Sequence, residues 1–194
     1  MSLNIFKPQR NGNGACCNIA LNLDDKCFYV NLQRQVAAFD SPAPFKGGKR
    51  LTTKLSTFEA GQILVCIQRN FDQQMVHKTP EATTNIYFQR FFKWDDEKKA
   101  YTTQQLGYYI SVTRTPKEGE KDTIRVGFTY GEAEVLRQYL IWSLGLIFVK
   151  QTEEQKVKAE TARTNKAEKS AEKPVETPQD SEGVAPTAVD DGSL

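Results

Sequence analysis

Residues 54–64 read KLSTFEAGQIL and residues 126–136 read VGFTYGEAEVL, and at a constant offset Ser56 falls on Thr129, Glu59 on Glu132, Ala60 on Ala133 and Ile63 on Leu136. Each stretch sets a hydroxyl residue three positions before a glutamate and follows it with an apolar run. In that pattern hydroxyl and carboxylate reciprocally satisfy the free backbone donors at a helix start. A helix is therefore expected to open at each, and the chain to be two copies of one strands-then-helix unit. Such a duplication argues architecture and not activity.

Working back from the first box, residues 49–55 (KRLTTKL) oppose Leu51 and Leu55 to Arg50, Thr52 and Lys54, the alternation of a half-buried strand. Residues 15–23 (ACCNIALNL) alternate likewise, with Ile19, Leu21 and Leu23 against Asn18, Ala20 and Asn22. After a turn at Asp24 and Asp25, residues 26–36 (KCFYVNLQRQV) place Phe28, Val30, Leu32 and Val36 inside and Tyr29, Asn31, Gln33 and Gln35 outside, giving a hairpin. The first helix is expected to run to about Arg69, burying Ile63, Cys66, Ile67 and either Leu64 or Val65. The second copy offers a strand at 83–94, a turn at 95–98 and a long strand at 99–115, where Tyr108, Ile110 and Val112 alternate with Tyr109, Ser111 and Thr113. A polar loop and the strand 123–128 lead to a helix reaching about Val149. Leu136, Tyr139, Leu140, Trp142, Leu144, Ile147 and Phe148 cover more of that helix than one narrow stripe, which predicts either contact with a second subunit as well as its own sheet or a central helix buried within one domain.

Composition sets the boundaries. Every aromatic residue lies at or before Phe148. Residues 1–150 carry 20 Lys+Arg against 14 Asp+Glu, while 151–194 carry 6 against 10. The second segment has too little apolar surface to offset the entropy of ordering. The expected organisation is a flexible N-terminus at 1–14, an α+β domain at 15–150 with repeats at about 15–70 and 83–150, and a disordered acidic tail at 151–194. A basic body joined to an acidic tail predicts a polyanion-binding surface with a built-in competitor or a hook for a partner.

Enzymatic chemistry is not expected. The single histidine, His77, falls in what reads as a loop and has no recognisable nucleophile beside it. Cys16, Cys17, Cys27 and Cys66 lack the paired spacing of metal or redox motifs and read as small buried residues in a reducing compartment. No phosphate loop is present, and neither a cofactor nor a metal is expected; no signal segment or membrane span is evident, so an intracellular protein is expected. What the strands expose points to binding instead. Tyr29, Asn31, Gln33, Arg50, Lys54 and Tyr109 fall on outer faces, and Arg90, Lys93, Trp94 and Tyr101 fall on or near the second half. Lys46 and Lys49 flank a Gly-Gly turn suited to phosphate. Single strands are held by such mixtures, with cations along the phosphates, rings stacked on bases and amides bridging.

The blocks at 49–64 (KRLTTKLSTFEAGQIL) and 123–145 (TIRVGFTYGEAEVLRQYLIWSLG), with the duplicated order around them, resemble the Whirly family. The resemblance implies two antiparallel four-stranded sheets packed on helices, a homotetramer formed through the helices, and single-stranded DNA lying across and between the sheets with little sequence preference. Related folds bind RNA. The chain departs from plant members in having KCFYVNLQRQ where the family carries a lysine-glycine-lysine-alanine motif, and no transit peptide is evident. The expected function is therefore sequence-tolerant protection of single-stranded DNA in replication or recombination, in a phage or bacterial setting, with a replication protein as the partner of the acidic tail. The alternatives are an RNA-binding or transcription-regulating module and, in another class, a structural scaffold.

Overall fold

A computed structural model of the chain describes residues 1–171, with side chains to residue 165. Strands β1 (Ser2–Lys7), β2 (Ala15–Asn22), β3 (Cys27–Arg34) and β4 (Arg50–Ser56) form an antiparallel sheet in that order and run into helix α1 (Thr57–Arg69). Strands β5 (Gln73–Lys78), β6 (Ala82–Asp95), β7 (Ala100–Pro116) and β8 (Asp122–Thr129) repeat the plan and run into α2 (Tyr130–Ala171). Two four-stranded antiparallel sheets, each followed by a helix, are the expected architecture.

Both capping boxes are formed. The Ser56 amide donates to the Glu59 carboxylate at 2.8 Å while the Glu59 amide donates to the Ser56 hydroxyl, and Thr129 and Glu132 repeat the exchange. Asn70 ends α1 in the left-handed conformation, φ 56°, with its amide donating to the Cys66 carbonyl. One core joins both repeats within Met1–Thr152. Phe28, Val30 and Leu32 of β3 meet Phe88 of β6, Ile110 of β7 and Phe128 of β8, and the helices add Ile63, Leu136, Leu140 and Ile147. Full burial of each such side chain stabilises by about 1.5–3 kcal/mol, so this shared core is what holds two small sheets as one body.

Four expectations are corrected. Residues 2–7 are not flexible: β1 pairs with β2 in the register Leu3↔Ile19 and Ile5↔Cys17, and Tyr139 of α2 anchors its start by donating to the Met1 carbonyl at 3.2 Å. His77 lies not in a loop but on β5, whose sequence QQMVHK has as apolar residues only the adjacent Met75 and Val76 and so shows no strand period. Val36 is exposed and Gln35 buried, the reverse of the alternation, because β3 ends at Arg34. The Gln35 side chain there accepts from the Gln9 and Gly14 amides at 2.8 and 3.0 Å and donates to the Gln9 and Ala37 carbonyls. Finally, α2 does not end near Val149 but continues to Ala171, since residues 151–171 hold no Gly or Pro and are rich in the strong helix formers Ala, Glu, Lys and Gln. The rest of the expected disordered tail, 172–194, lies outside the described residues.

The two repeats are also tied across their caps. His77 of β5 meets Glu59 at 2.6 Å, and Lys7 of β1 meets Glu132 at 2.5 Å, so each helix-capping carboxylate is held by the first strand of the other repeat. Burial alone would raise both carboxyls. The Ser56 donors and His77 outweigh it at Glu59, and Lys7 with the Thr129 donors outweighs it at Glu132, so both sit below the usual glutamate range.

Candidate nucleic-acid interface

The outer face of the first sheet is built in rows by strand register. The central row runs Asn4, Asn18, Asn31, Thr52 across all four strands. Its side chains form a hydrogen-bonded ladder: Asn18 donates to Asn4 at 2.7 Å, Asn31 to Asn18 at 3.1 Å, and the Thr52 hydroxyl to Asn31 at 2.7 Å. Each amide has further donor and acceptor capacity outside the ladder, an uncharged surface that can bridge to any base. On one side lies the row Ser2, Ala20, Tyr29, Lys54, and on the other Phe6, Cys16, Gln33, Arg50. Tyr29, Asn31, Gln33, Arg50 and Lys54 are thus brought onto one face. Arg50 and Lys54 are exposed on β4, while Lys46 and Lys49 lie in the loop at one end of the sheet.

On the second sheet Tyr109 faces outward beside Gln89 and donates its hydroxyl to the Gln89 side-chain amide oxygen, Oε1. The Arg125 guanidinium sits over the Tyr109 ring, 4.3 Å from its centroid. An arginine stacked in this way keeps a flat, charged plane pre-oriented for a base or a phosphate. Beside the pair is a hollow of about 550 Å³ lined by Phe91, Leu106, Lys7 and Gln9. Strands β6 and β7 outrun their neighbours, because β5 pairs only as far as Phe88 and β8 only as far as Gly107. Residues 92–105 therefore form a two-stranded arm. On it Trp94 packs edge-on against Tyr101, with centroids 4.9 Å apart, both rings are exposed, and Lys93 is exposed next to them.

Two of the expected site residues are placed otherwise. Arg90 pairs in register with the buried Tyr108, so it lies on the face opposite Tyr109, and its guanidinium is held by Asp72 at 3.1 Å. The one-residue parity of a strand decides this, since Gln89 and not Arg90 shares the outer face. Lys49 is exposed but forms a salt bridge with Asp122. Arg125, absent from the expected site, carries a signal that could have found it: Ile124, Val126 and Phe128 are buried, and strand alternation then turns Arg125 outward. Phe91 carries no such signal, because it is the last residue in register before the shift at Phe92 and the adjacent Phe91 and Phe92 give the sequence no alternation to read.

Thr53, His77 and Glu59 form a hydrogen-bonded series, with Thr53 Oγ1 3.3 Å from His77 Nδ1 and His77 Nε2 2.6 Å from Glu59. It serves the joint between repeats: Thr53 is buried, and the other Glu59 oxygen is taken by the Ser56 amide and hydroxyl. The four cysteines are buried free thiols, and burial pushes that of Cys66 up to about 11. Among the described residues no three His, Cys, Asp or Glu side chains converge as metal ligands, and no helix is long and apolar enough to cross a membrane.

No family model matches the sequence, and no curated protein matches it. Solved structures do. The plant transcriptional regulator PBF-2 superimposes with a TM-score of 0.57 at 11% identity, over 82% of this chain and 88% of that one. WHY1 from Arabidopsis thaliana gives 0.54 at 11% identity, over 84% and 93%. A guide-RNA-binding protein complex bound to a guide RNA gives 0.54 at 13% identity, over 74% and 89%. Identities this low speak for the fold, and the fold of this chain is Whirly-like.

Proposed function

We propose that the chain binds single-stranded nucleic acid along the outer faces of its two sheets, with DNA as the ligand and little preference for sequence. The observation that carries this reading is the Arg125–Tyr109 stack beside its hollow, with exposed rings and cations on the adjoining arm. Bases in a duplex already stack on one another and offer no face to a protein ring, whereas an unpaired strand offers each base in turn. The amide ladder adds hydrogen bonds that any base can use. Binding of this kind involves no chemistry and suits protection of DNA intermediates in replication or recombination.

RNA is the second reading, favoured by the guide-RNA-bound complex of the same fold. The apolar surface shared by α1 and α2, where Phe58, Val65, Phe71 and Phe148 border a hollow of about 560 Å³, is the surface on which a homotetramer would assemble. Light scattering of the full chain checks it, and a monomeric mass would reject it. The acidic residues beyond residue 173 are the hook for a replication partner. The deciding experiment is anisotropy of labelled oligothymidylate titrated with protein at low and moderate salt, with duplex DNA and a matched RNA as competitors. Salt-sensitive binding that duplex does not displace is expected. Displacement by RNA at lower concentration than by DNA would move the RNA reading ahead, and no binding to either single strand would leave the scaffold reading.

A further inference from the structure

The loop between β3 and β4 is built to a degree that a connecting loop does not require. Gln33, on the outer face, donates through Nε2 to the carbonyls of Phe45 at 2.6 Å and Gly48 at 3.1 Å. The Val36 and Ala37 amides both donate to the Pro44 carbonyl, and the Arg34 amide donates to that of Lys49. Gly48 is obligatory, since a Cβ there would lie 2.0 Å from the Arg34 carbonyl oxygen. The result is a rigid shelf of Pro42, Ala43, Pro44 and Phe45 standing at the end of the first sheet. Facing it from β1 is Phe6, whose ring centroid is 5.9 Å from that of Phe45 and whose side chain is 61% exposed. Between them lies a hollow of about 310 Å³ that Lys46 also lines.

A large apolar ring turned to water on an edge strand is a liability for aggregation, so its presence calls for a use. Its position supplies one. Phe6 is the first member of the row Phe6, Cys16, Gln33, Arg50, next to the amide ladder. Lys46 lines the hollow itself, and the Arg50 guanidinium reaches the Gln33 side chain that holds the shelf, 3.5 Å away, so one cation borders the hollow and a second stands where the shelf is tied to the sheet. The opening is at the small end of ligand-binding hollows and fits one planar ring system better than a helix or a strand of another protein. Cations along the path to a stacking ring match the phosphates that accompany a base.

We infer that Phe6 and the shelf of residues 42–46 form a subsite for one unstacked nucleobase, with Lys46 and Arg50 taking the adjacent phosphates. The strand thereby continues off the first sheet onto this loop. The inference rests on the proposed binding of single strands and assigns it a fixed end point. Because the shelf is pre-organised, little ordering entropy opposes the stack.

The test uses the full chain and oligothymidylate carrying 5-iodouracil. Irradiation is expected to crosslink Phe6 or Phe45, identified by mass spectrometry of the peptides. Phe6→Ala is expected to weaken binding by about 5- to 150-fold, the range found when a stacking ring is removed. Phe6→Tyr, which keeps the ring, is expected to restore binding. Phe6 is exposed, so the substitutions leave the core alone, and a circular dichroism melt verifies this. If the wild type binds and Phe6→Ala binds equally well, the subsite is refuted while the proposed function stands. A wild type that binds no single strand refutes both. If Phe6→Ala instead lowers the mass seen by light scattering without altering DNA affinity, the patch is a contact between copies of the chain and the subsite is refuted.

Discussion

Replacing Arg50 and Lys54 together by glutamine tests the electrostatic half of the proposal in a way that affinity at one salt concentration does not. The two side chains lie on β4 on the same outer face, four residues and so about 13 Å apart along the strand, which places them against different phosphates. Removing one cation–phosphate pairing with a single strand makes the plot of log K against log salt shallower by about 0.7. The double variant should therefore flatten the slope by about 1.4. Because counterion release vanishes towards 1 M salt, the two lines should converge there and diverge by about 25-fold at 0.1 M, or about 1.9 kcal/mol. Both side chains are exposed and neither forms a salt bridge among the described residues, so the melting temperature should not move. Anisotropy titrations of oligothymidylate at several salt concentrations give the slopes directly. Parallel lines for wild type and variant, whatever their vertical offset, would refute the placement of phosphates along β4.

The Glu59 and Glu132 carboxyls titrate below the usual glutamate range in the folded chain, so their contribution is present above the unfolded value of about 4.3 and is lost as pH falls through their folded values. Urea midpoints should drop more steeply on acidification for the wild type than for the Glu59→Gln, Glu132→Gln double variant, and equal pH profiles would contradict this. Gln35→Leu removes the acceptor of the buried Gly14 amide and of the Gln9 amide and should cost about 1–3 kcal/mol per donor left unsatisfied; a melting temperature unchanged from wild type would show that the loops re-pair. Residues 174–194 hold Glu176, Asp180, Glu182, Asp190 and Asp191 and no Lys or Arg. Their deletion should tighten binding at low salt or abolish capture of a replication partner, and a truncation neutral in both assays would leave the segment as a solubility device.

How much of the molecule is legible in the sequence depends on which strands carry a period. β3 from Phe28 on, β4 and β8 bury alternate residues on a half-wet sheet, so Phe28, Val30 and Leu32 or Ile124, Val126 and Phe128 announce both the strand and its faces. The capping boxes announce the helix starts by chemistry that is local to four residues. β1 and β5 do neither. Each has six residues at a sheet edge and a single side chain that is fully buried, Ile5 or Met75, and what orders them is distant: the Tyr139 hydroxyl for one, the pairing of Met75 with Ile86 for the other. The arm at 92–105 is hidden for a related reason, since its register shifts spoil the alternation on which any assignment of Trp94, Lys93 and Tyr101 to a face depends.

The strands that are hardest to read are those that join the molecule. Lys7 and His77 sit on β1 and β5, and each reaches across to the helix cap of the other repeat. A duplicated unit with a good core of its own would need no such exchange. Here each sheet has only four strands, and the carboxylate that a local capping box already demands is used a second time as the anchor for a nitrogen-bearing side chain from the opposite half. This dual use explains why both boxes carry glutamate and not glutamine, which could cap equally well but could not attract Lys7. It also couples the joint to the interface, because Lys7 borders the hollow beside the Arg125–Tyr109 stack. Glu132→Gln should then loosen Lys7 towards that hollow, weakening the fold slightly while adding a mobile cation to the DNA track. Stability and affinity are expected to move in opposite directions at neutral pH, and a fall in both would show that Lys7 must be held in place for the strand to bind.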